Sequence, residues 1–287
     1  MAKKRPPRPP EDKPKNKKIA LDQRRQYVAK SNEFIQRARY SMTLQQQRIL
    51  LYLISKIKPM DTIDIEYTFE IKEFCEVCGL DKSNGAIYEI IKADIKHVAD
   101  FSRWVIFKDK NEETLFRWLN TVKMRRNSGM IKIKFHESLS PYLYDLREYY
   151  TQYPLSNVLA FKSKYSIRLY ELLRSYSNND YWRFEINELK QILDAETYTR
   201  THDFVRKVLE PAEKEINQFA DDMRIEYRLI KTGRAFSHVE FRIWKPEYWD
   251  QMATWQEQRH RLNGYERNEK RAEKEKKKRE EDLTDET

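Results

Sequence analysis

Phe69-Glu-Ile-Lys-Glu-Phe-Cys-Glu-Val-Cys78 aligns with Phe184-Glu-Ile-Asn-Glu-Leu-Lys-Gln-Ile-Leu193, and this pair of segments decides how the fold is read. Two further pairs flank it in the same order. Upstream, Arg48-Ile-Leu-Leu-Tyr-Leu-Ile-Ser55 resembles Arg168-Leu-Tyr-Glu-Leu-Leu-Arg-Ser175; downstream, Ile95-Lys-His-Val-Ala-Asp100 resembles Ile216-Asn-Gln-Phe-Ala-Asp221. Each match is weak alone. Three matches in order, at a nearly constant offset of about 115 to 121 residues, indicate an internal duplication.

Each copy predicts the same succession of elements. In the first, Thr43 and Gln46 form a capping box ahead of a helix to about Lys56, with Leu44, Ile49, Leu50, Leu53 and Ile57 at helical spacing. Ile63 to Phe69 alternates as a strand, and a short helix from Ile71 to Cys78 should end at Gly79. Ser83 caps a longer helix to about Asp100, whose inward face is Ile87, Ile91, Ile95 and Val98. Val105 to Phe107, Leu115 to Met124 and Ile131 to Phe135 read as strands, with a turn at Gly129. The second copy repeats this with helix Lys164 to Ser177, strand Tyr181 to Ile186, helix Glu188 to Leu193, a longer helix Arg200 to Ala220, and a hairpin turning at Gly233.

Helix, strand, helix, helix, hairpin is the order of a winged helix-turn-helix. The fold class is therefore α+β, two tandem winged-helix domains related by duplication. Residues 1–24 read as a disordered basic, proline-rich arm, 25–148 as the first domain, 149–250 as the second, and 251–287 as a charged tail, a frayed helix or disorder. Tyr149 to Asn157 should join the copies.

The charge balance points to a polyanionic partner. Net charge is +10 in 287 residues, with pI ≈ 9.3 and mean hydropathy -0.92. Met1 to Lys18 holds eight Lys and Arg against Glu11 and Asp12, so the folded middle is only mildly basic and must place its charge locally. No apolar run is long enough to span a bilayer and no apolar stretch follows the basic N-terminus, so neither a membrane nor a secretory route is expected. Two cysteines fit a reducing compartment.

In a helix-turn-helix the second helix enters the major groove of double-stranded DNA. In the second copy that helix buries Phe204, Val208, Leu209, Ile216 and Phe219, leaving Arg200, Thr201, Asp203, Arg206, Lys207 and Lys214 outward. Arginine can bond guanine O6 and N7 in bidentate fashion, whereas Lys207 and Lys214 suit phosphates. Pro211 lacks an N–H and should kink or break the helix near Leu209. The second wing offers Lys231 and Arg234. The first copy offers Lys82, Asn84, Tyr88, Lys92 and Lys96 on its helix, and Lys123, Arg125 and Arg126 in its wing, but the turn Asp109 to Glu113 is acidic. This copy is expected to favour phosphate contact or dimerisation over base readout.

Signals for chemistry are weak. Five scattered glycines write no nucleotide-binding fingerprint, so no cofactor is expected. Five separated histidines give no His-x-His pair for a metal-dependent nicking enzyme. Cys75 and Cys78 form a lone pair without the two further ligands of a structural zinc site, and core packing is the expectation. The tryptophans Trp104, Trp118, Trp182 and Trp244 fall on predicted strands and read as core. The chain is not expected to be an enzyme.

Three motifs resemble the RepB-like initiator family of iteron-type plasmid replication proteins. They are Val28-Ala-Lys-Ser-Asn-Glu-Phe with Met42-Thr-Leu-Gln-Gln-Gln-Arg-Ile-Leu-Leu-Tyr-Leu-Ile-Ser55; Phe161-Lys-Ser-Lys-Tyr-Ser-Ile-Arg-Leu-Tyr-Glu-Leu-Leu173; and Tyr198, Asp203-Phe-Val-Arg-Lys-Val-Leu-Glu-Pro-Ala212 and Glu215-Ile-Asn217. The resemblance covers roughly Tyr27 to Pro246. It implies a bacterial cytoplasmic protein that binds direct repeats at a plasmid origin, opens nearby DNA, and recruits the host initiator and replicative helicase. It also implies a monomer–dimer balance in which dimers repress the initiator's own gene, and base readout led by Arg200, Arg206 and Lys207. The alternative from another class is a winged-helix transcriptional repressor with no replication role.

Overall fold

The computed structural model describes residues 23–80, 86–100, 105–108, 113–125 and 128–262. Within them the duplication appears as two sheets of identical topology. In the first copy, α2 (Leu44–Ile54), β3 (Tyr67–Glu70), α3 (Ile71–Cys78) and α4 (Ala86–Ala99) precede the hairpin β6 (Leu119–Met124) and β7 (Met130–Phe135). The strand order is β3-β7-β6. In the second, α7 (Lys164–Ser175), β9 (Tyr181–Glu185) and α8 (Ile186–Ile192) lead to the long helix α9 (201–219) and the hairpin β10 (Arg224–Thr232) and β11 (Ala235–Trp244), with order β10-β11-β9. The aligned phenylalanines occupy equivalent rungs, Phe69 opposite Ile131 and Phe184 opposite Val239.

The local signals act as read. The Thr43 hydroxyl accepts from the Gln46 N–H while the Gln46 side chain accepts from the Thr43 N–H, starting α2. Gly79 takes φ 65 and ends α3, with the Leu80 N–H returning to the Cys75 carbonyl at 2.8 Å. Cys75 and Cys78 are buried in the α3 face and not disulfide-bonded. Burial pushes the Cys78 thiol up to about 12, which leaves it unreactive.

Pro211 neither breaks nor ends the reading helix of the second copy. Thr201–Phe204, a π-helical turn Val205–Leu209, and Glu210–Phe219 run on as one helix, α9. Glu210 donates its N–H to the Val205 carbonyl, five residues back, and Leu209 and Glu210 keep right-handed helical angles. One extra residue in the turn absorbs the register that proline cannot support.

The first copy carries insertions that the single predicted strand Leu115 to Met124 concealed. It divides at Arg117 and the buried Trp118 into β5 (Glu113–Phe116) and β6, which belong to different sheets. β5 pairs with β4 (Val105–Lys108), and β4 with β2 (Ala38–Arg39). Trp182 stacks on Tyr176 at 4.0 Å, but Trp244 is exposed, contrary to a core reading, and carries the Arg242 guanidinium over its ring. Trp104 and the Ser83 cap lie outside the described residues.

The segment expected to be a joining loop is structured. β8 (Tyr150–Pro154) pairs antiparallel with β1 (Tyr27–Ser31), and α6 (Leu155–Ala160) follows. Short helices α1 (Asn32–Arg37) and α5 (Ser140–Leu143) pack beside this pair. Arg48 on α2 donates to the carbonyls of Leu159 and Phe161, satisfying the open end of α6.

Beneath β1 and β8 lies a buried charged cluster. Lys30 reaches Glu171 at 2.5 Å, the Tyr153 hydroxyl donates to the same carboxylate, and Arg168 stands 3.5 Å from it. Arg168 also donates to the Tyr40 hydroxyl and the Ala38 carbonyl. Burial pushes the Glu171 carboxyl up, but Lys30 and Arg168 outweigh it and hold it below the ordinary range. These contacts tie the first copy's entry strand to the second copy's first helix.

Residues 248–262, assigned in part to the charged tail, form α10 (Tyr248–Leu262). Gln258 donates to Asn157 and to the Phe219 carbonyl, and Arg224 donates to Thr254. Arg24, at the end of the presumed arm, is buried and donates to the carbonyls of Glu76, Val77 and Leu262. A Cβ on Gly79 would stand 2.5 Å from the Leu262 carbonyl oxygen. Arg24 and Leu262 thus meet beside the turn that follows α3. Residues 1–22 and 263–287 lie outside the described residues.

Candidate nucleic-acid interface

The reading helix α9 buries Phe204, Val208, Leu209, Ala212, Ile216 and Phe219 against the second copy. That packing turns His202, Arg206, Lys207, Glu210, Lys214 and Gln218 to the outside, all of them exposed. Arg200 is exposed at the N-cap, and Thr201, partly buried, opens the first turn. Arg206 lies 3.7 Å from Asp203 one turn earlier, a loose pair that a stronger acceptor can displace. The π turn brings Arg206 and Lys214, eight residues apart, closer to one line than an unbroken α-helix would.

The second wing turns at Gly233, φ 66, and both Lys231 and Arg234 are exposed at its tip. A register shift between Ile230 and Lys231 bends the hairpin there, with the Lys231 ammonium over the Phe236 ring. On the sheet, Arg183 and Arg228 lie on either side of Glu240 and both bond its carboxylate at 2.6 Å. These two arginines serve the sheet as a cross-strand ladder.

The first copy presents a different face. Two of its expected cations, Lys92 and Lys123, are ion-paired. Lys92 is half-covered and bonds Glu89 at 2.8 Å. Lys123 and Lys132 both hold Glu66, whose carboxyl these hydrogen bonds keep below its ordinary range. Tyr88 packs inward against the core. Lys96 and Arg125 are exposed. Lys82, Asn84 and Arg126 lie outside the described residues, as does most of the acidic turn Asp109 to Glu113. What sequence reading passed over are the residues that share the outward line of α4 with Lys96: Ala86, Glu89, Ile90, Ala93 and His97.

Among the described residues, no group of three or more His, Cys, Asp and Glu side chains is placed to hold a metal ion, and no helix is long and apolar enough to cross a membrane.

A family profile described as Initiator Replication protein, WH1, matches residues 27–174, and a second, Initiator Rep protein, WH2, matches residues 185–243. The chain belongs to the initiator Rep protein family. The first match runs through α7, which the duplication assigns to the second copy, so the initiator profile and the internal repeat divide the chain differently.

The chain is similar to a replication initiation protein of Escherichia coli, 22% identical over 253 residues, covering 83% of this chain and 75% of the relative. It is also similar to an uncharacterized 27.6 kDa protein of the same organism, 28% identical over 231 residues, covering 72% of this chain and 88% of that one. Among solved structures, the Pi initiator protein in complex with iteron DNA shares the fold: TM-score 0.64 at 18% identity, over 78% of this chain and 99% of that chain. This initiator Rep protein is therefore built on two winged-helix DNA-binding domains homologous to those of a replication initiator.

Proposed function

We propose that the protein initiates plasmid replication by binding repeated double-stranded DNA sites at the origin, opening adjacent DNA and recruiting the host initiator and replicative helicase. The observation that carries this reading is the pair of initiator domains, with exposed cations lining the helix that a winged helix-turn-helix presents to the major groove. The relative bound to iteron DNA supports repeats as the target. The bacterial cytoplasm is the setting of such a role, and a monomer–dimer balance extends it to repression of the protein's own gene.

In this reading, Arg200, Thr201 and Arg206 meet base edges, while Lys207, Lys214, Lys231 and Arg234 hold phosphates. In the first domain the exposed Lys96 and Arg125 hold phosphates, and Lys82, Asn84, Lys92 and Arg126 are the further contacts that a steeper salt dependence would reveal. Two reading helices in one chain would enter successive major grooves roughly 34 Å apart.

The test is a footprint of the purified chain on DNA flanking its own gene, with excess competitor DNA. Tandem protected repeats of about two helical turns each are expected. A single inverted repeat over the promoter would instead make the protein a repressor. Two substitutions then separate the roles. Arg206→Ala should weaken cognate binding by about 1–3 kcal/mol and relax one base position, whereas Lys207→Ala should weaken all sequences alike. Wild-type affinity in Arg206→Ala would remove that side chain from the reading face.

A further inference from the structure

We infer that the two reading helices recognise different base chemistry, and that Ile90 and Ala93 on α4 read thymine methyl groups. The inference rests on the DNA-binding reading above and adds specificity to the first domain.

The outward line of α4 is Ala86, Glu89, Ile90, Ala93, Lys96 and His97, at the i, i+3, i+4, i+7 spacing of one helix face. Ile90 is 52% exposed and stands between the exposed Ala86 and Ala93, so this line presents apolar surface to whatever it faces. The single acid on this line, Glu89, is already bonded to Lys92, so the stripe is nearly neutral until Lys96 at the last turn. On α9 the matching line is His202, Arg206, Lys207 and Lys214, rich in donors.

What faces the α4 stripe follows from topology. β3, α3, α4, β6 and β7 repeat β9, α8, α9, β10 and β11, strand for strand, so α4 holds the groove-entering position of its domain. In the major groove an apolar side chain has one complementary base feature, the C5 methyl of thymine. Lys96 and the wing residue Arg125 stand ready for the phosphates beside it. The preferred site should therefore be asymmetric, with thymine under α4 and guanine under Arg206.

The test starts from duplexes selected out of a random library by the full chain. Cleavage from a reagent tethered at Lys96→Cys marks the bases under α4; Cys75 and Cys78 are buried and stay unlabelled. Each thymine is then replaced singly by deoxyuridine, which removes only the methyl. One or more replacements under α4 should weaken binding about fourfold, the loss expected for one buried methyl, and replacements under α9 should not. Ile90→Ala should shrink the difference between thymine and uracil at the thymine beneath residue 90 and leave the one beneath Ala93, and Ile90→Val should retain both. Both changes sit at a half-exposed position and leave the core intact. Uniform indifference to uracil under α4, or an unchanged pattern in Ile90→Ala, overturns the inference while the DNA-binding reading stands. Failure to select any specific duplex overturns both.

Discussion

Glu171→Gln should lower the stability of the chain by about 3–5 kcal/mol at neutral pH, read as a fall in the urea midpoint. The magnitude follows from what the substitution leaves behind. Lys30, Arg168 and Glu171 are all buried, so two cations share one anion with no access to water. Glutamine keeps the shape and can still accept from Tyr153, but both cations lose their counter-charge. Lys30→Met should cost far less, because Arg168 and Glu171 remain a neutral pair. The double variant should recover part of the loss, since one stranded cation replaces two. Equal costs for the two single substitutions would show that the cluster acts through packing instead of charge. The pH dependence has a definite sign. Glu171 is held below its ordinary value, so its stabilisation is complete above the unfolded carboxyl value near 4.5 and is lost as pH falls through the lower folded value.

That cluster also shows what the sequence could and could not reveal. Lys30 lies in the first family motif, and Arg168 and Glu171 lie in the second. The motifs were visible as strings, but nothing in either string says that they meet, because the pairing of β1 with β8 that joins them is a non-local contact. Elements set by local chemistry were legible: the capping box at Thr43, the glycine cap at Gly79, and the hairpin turn at Gly233. Periodicity also gave the inward face of α9 residue by residue. It failed at Pro211, where the rule that proline breaks a helix lost to a one-residue widening held by packing on both sides. It failed again at Trp118, where one apolar run serves two sheets. Charge counting could not show that Lys92 and Lys123 stand in ion pairs with Glu89 and Glu66. The buried end of α10 was missed because Thr254, Gln258 and Leu262 are too sparse among charges to mark a packed face.

Binding to the cognate site should fall by about 10³–10⁴ between 50 and 200 mM salt, with a log–log slope of roughly -5 to -7. The slope counts phosphates neutralised. The exposed cations assigned to the interface are Arg200, Arg206, Lys207, Lys214, Lys231 and Arg234 in the second domain, with Lys96 and Arg125 in the first. Arg200 and Arg206 are assigned to bases, so about six remain for phosphate, and each contributes close to 0.9 to the slope. Lys123 and Lys132 are set apart because both are held on the Glu66 carboxylate, which offsets one of their two charges. The prediction therefore separates two pictures of the first domain. Should every cation there reach DNA, the slope would steepen toward about -9. If only the nearly neutral α4 stripe engages, with Lys96 at its end and Arg125 in the wing, charge reversal of Lys207 or Lys231 should flatten the slope by about one each, and charge reversal of Lys123 should leave it unchanged. A slope insensitive to Lys207 and Lys231 would move the phosphate-binding face off α9 and its wing altogether.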